Sequence, residues 1–565
     1  MFRLAFLARG QHQAQARHCC LDVRLVPRTT AIPTLSSPRI TTTTNSIAVL
    51  KSARAFSTSW RSFLPERSSA SNAEAGAATA KGADSNRTSR PFRVAVIGSG
   101  PGGFYTAHRI LKNVPQATVD MFEALPVPHG LVRFGVAPDH PEVKNVMNTF
   151  DDVAQNPHFT FIGNTSVGTF TTPGARKADL EISDLQPHYD AILLAYGAHE
   201  DRLLGVPNEQ SLQGVMAARS FVAFYNGLPS EQDLEIDLSL SETAVVIGQG
   251  NVALDVARIL LTPLEELKKT DLTEKTIKIL EKSRVKHVHV IGRRGPLEVA
   301  FTSKEFREML QLPDTTFHMD ETLLASEMER AGKSLDRPRK RLMGLLEKGI
   351  KETKPNQPKS WSLLFLRSPL GFKGGDEQSS GGEKPPLKAI ELGINRLEGE
   401  SSNRKAVATG EKELLECGLA FRSIGYKSVG IQGIPFDNRQ GIVPNVDGRV
   451  VDADHNVVPG LYASGWLKRG PIGVIATTMA DAYQTGDTII ADWTNGEPML
   501  NNGKEVSIEQ CNAKPVLDLL RSKDHRTVSY ADWKKIEQKE FDLGARVGKP
   551  REKILSVEEM LKVLD

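Results

Sequence analysis

The chain has 565 residues, 39% of them hydrophobic and 25% charged, the make-up of a globular protein with room for two or three domains. No uninterrupted apolar run is long enough for a transmembrane helix, so none is expected, and peripheral membrane contact stays open. Of 71 basic and 68 acidic residues, 13 and 4 lie in residues 1–90, leaving 58 against 64 in the body; the net charge of +3 therefore gives no ground for expecting nucleic-acid binding, and any basic patch must be local.

Residues 1–65 carry Arg3, Arg9, Arg17, Arg24, Arg28, Arg39, Lys51, Arg54 and Arg61 against one acid, Asp22, with Ser and Thr crowding 29–62. An Arg-rich, acid-poor segment can form a cationic amphipathic helix drawn by a negative-inside potential, the pattern of an organelle import leader. A basic tail with no address is the alternative. Residues 66–90 are small and polar and read as a disordered linker outside any core.

From residue 91 the pattern changes to a buried strand, "PFRVAVIG", followed by Gly98, Gly100, Gly102 and Gly103 and a helical "FYTAHRILKNV". In such a turn the first glycine permits the bend, the second lets the backbone approach a pyrophosphate, and the last lets the helix sit on the strand. The next strand, "ATVDMFEA", ends at Glu123, where a carboxylate can accept hydrogen bonds from ribose hydroxyls. That acid suits FAD or NAD and repels a 2′-phosphate; the residues alone do not separate the two.

"VVIGQGNVALDVARILL" at 245–261 repeats the arrangement with Gly248, Gly250 and Ala253. Its following strand, "KHVHVIGRRG", ends in Arg293 and Arg294 where the first unit ends in an acid, and two guanidiniums there would pair with the 2′-phosphate of NADP. Two dinucleotides with opposite ribose chemistry make an acceptor and donor pair, FAD with NADPH. Neither Cys417 nor Cys511 has a partner cysteine at CxxC or CxxxxC spacing, and Cys19 and Cys20 lie in the leader, which argues against a metal, an iron-sulfur cluster or a redox disulfide held by this chain.

With both turns placed, the chain resembles the adrenodoxin reductase family, mitochondrial NADPH:ferredoxin oxidoreductases, from about 92 to 563. The stretches that carry the resemblance are "GLVRFGVAPDHPEVKNV" (130–146), "FYNGLP" (224–229), "GQGNVALDVARILLTP" (248–263), "GRRGPLEVAFTSKEFREM" (292–309), "RPRKRL" (337–342), "SIGYKS" (423–428) and "SGWLKRGPIGVIATTM" (464–479). The resemblance implies FAD contacts at Gly102, Glu123, Leu131, Val167, Trp466, Gly473, Val474 and Ile475. It implies NADP contacts at Gly248, Gln249, Gly250, Asn251, Arg293, Arg294, Glu305 and Gly473. Three positions depart from the pattern: Gly102 where alanine is common, His129 where a non-ionisable aromatic is expected, and Ile472 where Thr is common.

The implied fold is α/β with two Rossmann-like dinucleotide-binding domains: a discontinuous FAD domain, 91–199 plus 428–565, with an NADP domain inserted at 200–427. The implied chemistry is hydride transfer from NADPH to the flavin, then single-electron transfer to an acidic adrenodoxin-like 2Fe-2S ferredoxin in the mitochondrial matrix, at the inner membrane or free of it. Trp466 is implied as a wall of the nicotinamide site, though its residue type fits a core equally. Asp139, His140 and Asp255 are the ionisable groups expected near the rings, with structural roles open for each. Arg337, Arg339, Lys340 and Arg341, with Lys304 and Arg307, are the candidate dock for the ferredoxin. A flavin monooxygenase and a nucleotide-responsive binding protein without chemistry are the rival readings.

Overall fold

The strand at the head of the first glycine turn forms at Phe92–Ile97, and every residue of it is buried, as befits a parallel strand covered on both faces. The computed structural model describes residues 91–375, 384–399, 404–501 and 513–565; the expected leader and linker and Cys19, Cys20 and Cys511 lie outside the described residues. Parallel neighbours of this strand are Ala117–Phe122 on one side and Ala191–Leu194 on the other, and Phe159–Ile162 extends the first side. Beyond Ala191–Leu194 the sheet draws on residues far down the chain. Val457–Ala463 joins in parallel, and Arg449–Val451 and Asn445–Val446 follow antiparallel, completing seven strands.

A second sheet of six strands is parallel throughout, in the order Val215–Ala217, Leu419–Arg422, Thr243–Ile247, His287–Ile291, Lys359–Leu364, Thr315–Met319. The two passages of chain between the sheets run side by side as a short antiparallel ribbon, Glu200–Asp201 against Tyr426–Lys427. In both sheets the strand that leads into the glycine turn has its sequential successor on one side and a strand from later in the chain on the other. That is a topological switch point, where the carboxyl ends of strands open a crevice. A third sheet, antiparallel, stacks Arg367–Gly374, Leu387–Glu398 and Lys405–Glu416; neither glycine motif announces it.

Aromatic side chains fill the layers between sheets and helices. Phe92 stacks on Trp493 at 4.3 Å, and Phe104 on Phe150 at 4.6 Å, beneath the helix Pro101–Asn113. In the second sheet Trp361 packs against Phe317 at 4.4 Å and against Phe306.

Ion pairs link the part of the chain around the first turn to the insertion that carries the second. Arg258 on the helix Asn251–Leu261 holds Asp139 from the other side in a two-pronged pair at 2.6 and 3.1 Å. Lys144 and Lys553 both reach Asp271, at 2.7 and 3.1 Å, and Lys549 reaches Glu274 at 3.0 Å. The segment 549–553 therefore straps the C-terminus onto the inserted region.

Lys553 is 3% exposed, and burial pulls its ammonium down to about 7; Asp271 opposes that, while Lys144 and Arg133 add to it. An unfolded lysine titrates near 10.5, so between about pH 7 and 10.5 the unfolded chain holds more protons and stability rises with pH. A Lys553→Met variant loses that rise. The melting temperature of the variant minus that of the parent is expected to become more negative as the buffer moves from about pH 7 to about pH 10. A difference that stays flat or grows over that range overturns the burial argument.

Candidate dinucleotide sites

At the first turn Gly98 has φ 101°, and a Cβ there would lie 2.7 Å from the Ala195 carbonyl oxygen. A Cβ on Gly103 would lie 2.2 Å from the Gly98 oxygen, so the helix can approach the strand only without one. Gly102 is different: its Cβ would meet Gly465 at 3.4 Å, an ordinary contact, so the alanine common at this position would fit and the glycine costs no packing. At Gly100 a Cβ would meet nothing within 4 Å. The turn is thus closed on the protein side and open where a pyrophosphate would lie.

Glu123 sits at this turn, accepting from the Ser99 N–H at 3.1 Å, the Ser99 hydroxyl at 2.6 Å and the Leu125 N–H at 3.1 Å. Burial pushes its carboxyl up and those donors pull it back, with a net rise. The Thr165 N–H donates to the Glu123 carbonyl, which brings the strand end preceding Val167 to the same place. The short helix Gly130–Phe134, with Leu131, closes against the turn: the His129 N–H donates to the Ser99 carbonyl, and a Gly130 Cβ would lie 3.2 Å from the Gly100 Cα.

His129 is fully buried in an aromatic nest of Phe104, Phe150, Tyr530 and Trp533. Burial, then Arg133, holds its pKa well below the ordinary value. A histidine kept neutral in this way serves as the non-ionisable aromatic expected there.

The late segment that returns to the first sheet completes this site. The Gly465 N–H donates to Asp481 at 2.8 Å, Trp466 packs on Tyr426 at 5.2 Å, and the helix Ile475–Thr494 begins just past Gly473. Gly473 has φ 88°, and a Cβ there would strike the Thr477 hydroxyl at 2.3 Å. Ile472 is 71% exposed and Val474 46%, two large apolar side chains standing free at a helix N-terminus beside Ile475.

The second turn repeats the first. Gly248 has φ 127°, and a Cβ there would lie 2.1 Å from the Ser423 oxygen; at Gly250 it would meet nothing within 4 Å. Asn251 accepts from the Thr302 N–H at 2.8 Å, and the Thr302 hydroxyl donates to Glu305 at 2.8 Å, so the loop after the second strand folds back over the turn. Gln249 fills the place of a side chain at Gly292. Arg293 and Arg294 are exposed, and among the described residues neither guanidinium has an ion-pair or hydrogen-bond partner.

Asp139, His140 and Asp255 come together around a residue that the motifs did not single out. Arg258, 4% exposed in its side chain, pairs with Asp139, with Asp255 at 2.8 Å and with Glu308 at 3.7 Å, and His140 is 2.9 Å from Glu308. Burial works to raise both aspartates. The Arg258 hydrogen bonds bring Asp139 below its ordinary value, whereas Asp255 stays above. The spacing of Asp255 and Arg258, one turn apart on a helix, is the one local signal of this cluster.

The candidate dock is narrower than the charge run suggests. Arg337, Lys340 and Arg341 are exposed at the start of the helix Arg337–Glu352, but Arg339 is half-buried and donates to the Val299 carbonyl at 2.8 Å. Lys304 is engaged with Glu142 at 3.0 Å and Glu308 at 3.8 Å, which removes it from any free patch.

Residues 92–313 match the family described as pyridine nucleotide-disulphide oxidoreductase. The chain is 47% identical over 483 residues to the mitochondrial NADPH:adrenodoxin oxidoreductase of Homo sapiens, covering 84% of this chain and 92% of the relative. It is 46% identical over 482 residues to that of Bos taurus, covering 84% and 92%. Among solved structures, FprA of Mycobacterium tuberculosis in complex with NADPH is similar at 37% identity and a TM-score of 0.75, over 84% of this chain and 99% of FprA. With this identity over nearly the whole described length, the chain belongs to the NADPH:adrenodoxin oxidoreductase family.

Proposed function

We propose that this protein is an NADPH:adrenodoxin-type oxidoreductase that holds FAD at the first turn, takes NADPH at the second, and passes electrons singly to a 2Fe-2S ferredoxin. The observation that carries the reading is the opposition, in one chain, of a carboxylate beside one glycine turn and, beside the other, two guanidiniums without a partner among the described residues. We assign 91–199 with 428–565 to FAD and 200–427 to NADP(H).

The residues present fit both groups. Gly100 and Gly250 each leave an open cradle at the N-terminus of a helix, where backbone N–H groups favour a pyrophosphate. FAD, when bound, supplies an acceptor for the electron pair of a hydride and releases the electrons one at a time. Glu123 meets the ribose, Leu131 and Val167 wall the site, and Ile472 and Val474 offer the apolar surface that a planar ring would cover. The N-terminus of Ile475–Thr494 presents N–H groups that favour negative charge on that ring. Gly248, Gln249, Gly250 and Asn251 take the second pyrophosphate, with Glu305 and Gly473 beside it. Arg293 and Arg294 take the 2′-phosphate, and Trp466 on Tyr426 closes the space between the sites.

Positioning dominates such chemistry. Asp139, His140 and Asp255 are assigned to it as one network, in which Arg258 pairs with both aspartates and Glu308 joins Arg258 to His140. The relatives carry "mitochondrial" in their names, and we extend that location to this chain through residues 1–65, in the matrix or on the matrix face of the inner membrane.

Two measurements test the reading. In the Arg293→Ala/Arg294→Ala variant, loss of two charged hydrogen-bonding groups, roughly 1.5–3 kcal/mol each, is expected to lower kcat/KM for NADPH about 100-fold or more and leave that for NADH within about threefold. Equal losses with both donors would show that the arginines do not read the 2′-phosphate. Reversal of the exposed dock, Arg337→Glu with Arg341→Glu, is expected to slow reduction of a purified mitochondrial 2Fe-2S ferredoxin about tenfold at low salt. The deficit should shrink as salt screens the parent, and NADPH-driven ferricyanide reduction should not change. A deficit independent of salt, or shared with ferricyanide, removes this helix from the dock. NADPH consumption that yields an oxygenated organic product instead of reduced ferredoxin would favour the monooxygenase reading.

A further inference from the structure

The two guanidiniums assigned to the 2′-phosphate stand on a short loop after the strand His287–Ile291, and that loop is held by the three-stranded antiparallel sheet. Three consecutive carbonyls are taken from one side. The Arg367 N–H donates to Gly292 at 2.9 Å, the Leu366 N–H to Arg294 at 3.2 Å, and between them the side-chain amide of Asn395 donates to Arg293 at 3.1 Å. Gln249 also packs against Gly292, its side-chain amide standing in the space a Cβ there would take. The loop is therefore pinned at its backbone, while its guanidiniums are left free.

Asn395 is the one side chain among these three donors. It is 6% exposed, and its amide also donates to the Ser368 hydroxyl at 2.8 Å. Its backbone N–H donates to Leu366 at 2.9 Å, tying it to the turn that supplies the other two donors. Strand pairing slips beside it, with the extra residues on the neighbouring strand Lys405–Glu416: Gly393 faces Lys412, and Asn395 then faces Ala408. Here the side chain aimed inward is polar and buried, an expensive choice unless both its donor bonds are made. Leucine offers no donor, and a carboxylate would set an acceptor against the Arg293 carbonyl.

We propose that Asn395 is a positioning residue for NADPH selectivity: by holding the Arg293 carbonyl it fixes the direction in which the Arg293 guanidinium leaves the loop. This rests on the reading of Arg293 and Arg294 as the 2′-phosphate site. Selectivity then depends on a sheet that contributes no group to the dinucleotide, and on a residue about a hundred positions from the arginine it serves.

The test is calorimetric titration of the flavin-loaded full chain with 2′,5′-ADP and with 5′-ADP, which lacks the 2′-phosphate. In Asn395→Ala and in Asn395→Leu, which keeps most of the volume, 2′,5′-ADP is expected to bind about tenfold more weakly and 5′-ADP as in the parent. The ratio of kcat/KM for NADPH over NADH should fall by a similar factor at unchanged flavin content. Ser368→Ala, which spares the bond to Arg293, should shift the affinity ratio less than about twofold. The ratio of the two affinities does not depend on the fraction of variant that folds, so partial misfolding leaves it readable. Unchanged 2′,5′-ADP binding in both Asn395 variants, with binding lost in Arg293→Ala, overturns the proposal and spares the 2′-phosphate reading. Unchanged binding in Arg293→Ala itself overturns that reading, and the role of Asn395 with it.

Discussion

Arg258 is a permanent cation withdrawn from water and surrounded by carboxylates from three separate places: Asp139 in a loop against the first sheet, Asp255 one turn earlier on its own helix, and Glu308 on the helix Ser303–Leu310. A buried ion of this kind is costly alone and nearly neutral when fully paired, so it contributes little net stability. What it contributes is direction. A guanidinium fork meets a carboxylate in one plane and at one distance, and the pair between Arg258 and Asp139 spans the join between the region of the first turn and the inserted region. Lys144 and Asp271 repeat the device, as do Lys549 and Glu274. These pairs lie across the join between two sheets that, among the described residues, are also linked by a two-stranded ribbon.

Placement matters because the two halves are built by the same rule and point their open ends toward a shared task. In each, a glycine with positive φ lies so close to the backbone beyond a neighbouring strand, Ala195 for Gly98 and Ser423 for Gly248, that a side chain is impossible, while the glycine two positions on faces empty space. The closed side makes the turn rigid. The open side makes it a cradle. Neither half can transfer anything alone, so the geometry between them is as much a part of the site as either turn.

The local parts of this design were readable in the sequence. Strand, glycine turn, helix and the residue ending the next strand follow short-range rules, and the strand at Phe92–Ile97, the helix at Asn251–Leu261 and the helix starting after Gly473 stand where those rules put them. Long-range pairings were not. Asp139 and Arg258 are 119 residues apart, Lys144 and Asp271 127, and Arg293 and Asn395 102, with no period or spacing to link them. The same blindness enlarged the candidate patch: Arg339 and Lys304 read as free charges, yet each bonds a partner from a distant segment. His129 shows the converse, an ionisable residue type made neutral by surroundings that no single stretch displays.

Glu123 and the Arg293–Arg294 pair also differ in how they are solvated, and under the proposed assignment that difference bears on which nucleotide would stay and which would exchange. Glu123 is partly buried and already accepts three hydrogen bonds, so its charge is organised before any ligand arrives, and Ser464 and Gly465 lie against the start of the helix that follows the turn. Arg293 and Arg294 stand in water, and a phosphate that binds them must compete with that water and with salt, which weakens the contact and speeds its release. A resident group at the first turn and a transient one at the second is the division a flavoenzyme needs, since the donor must depart after each hydride while the acceptor remains. Exchange of the two roles would set a 2′-phosphate against a desolvated carboxylate at one end and leave two cations unpaired at the other.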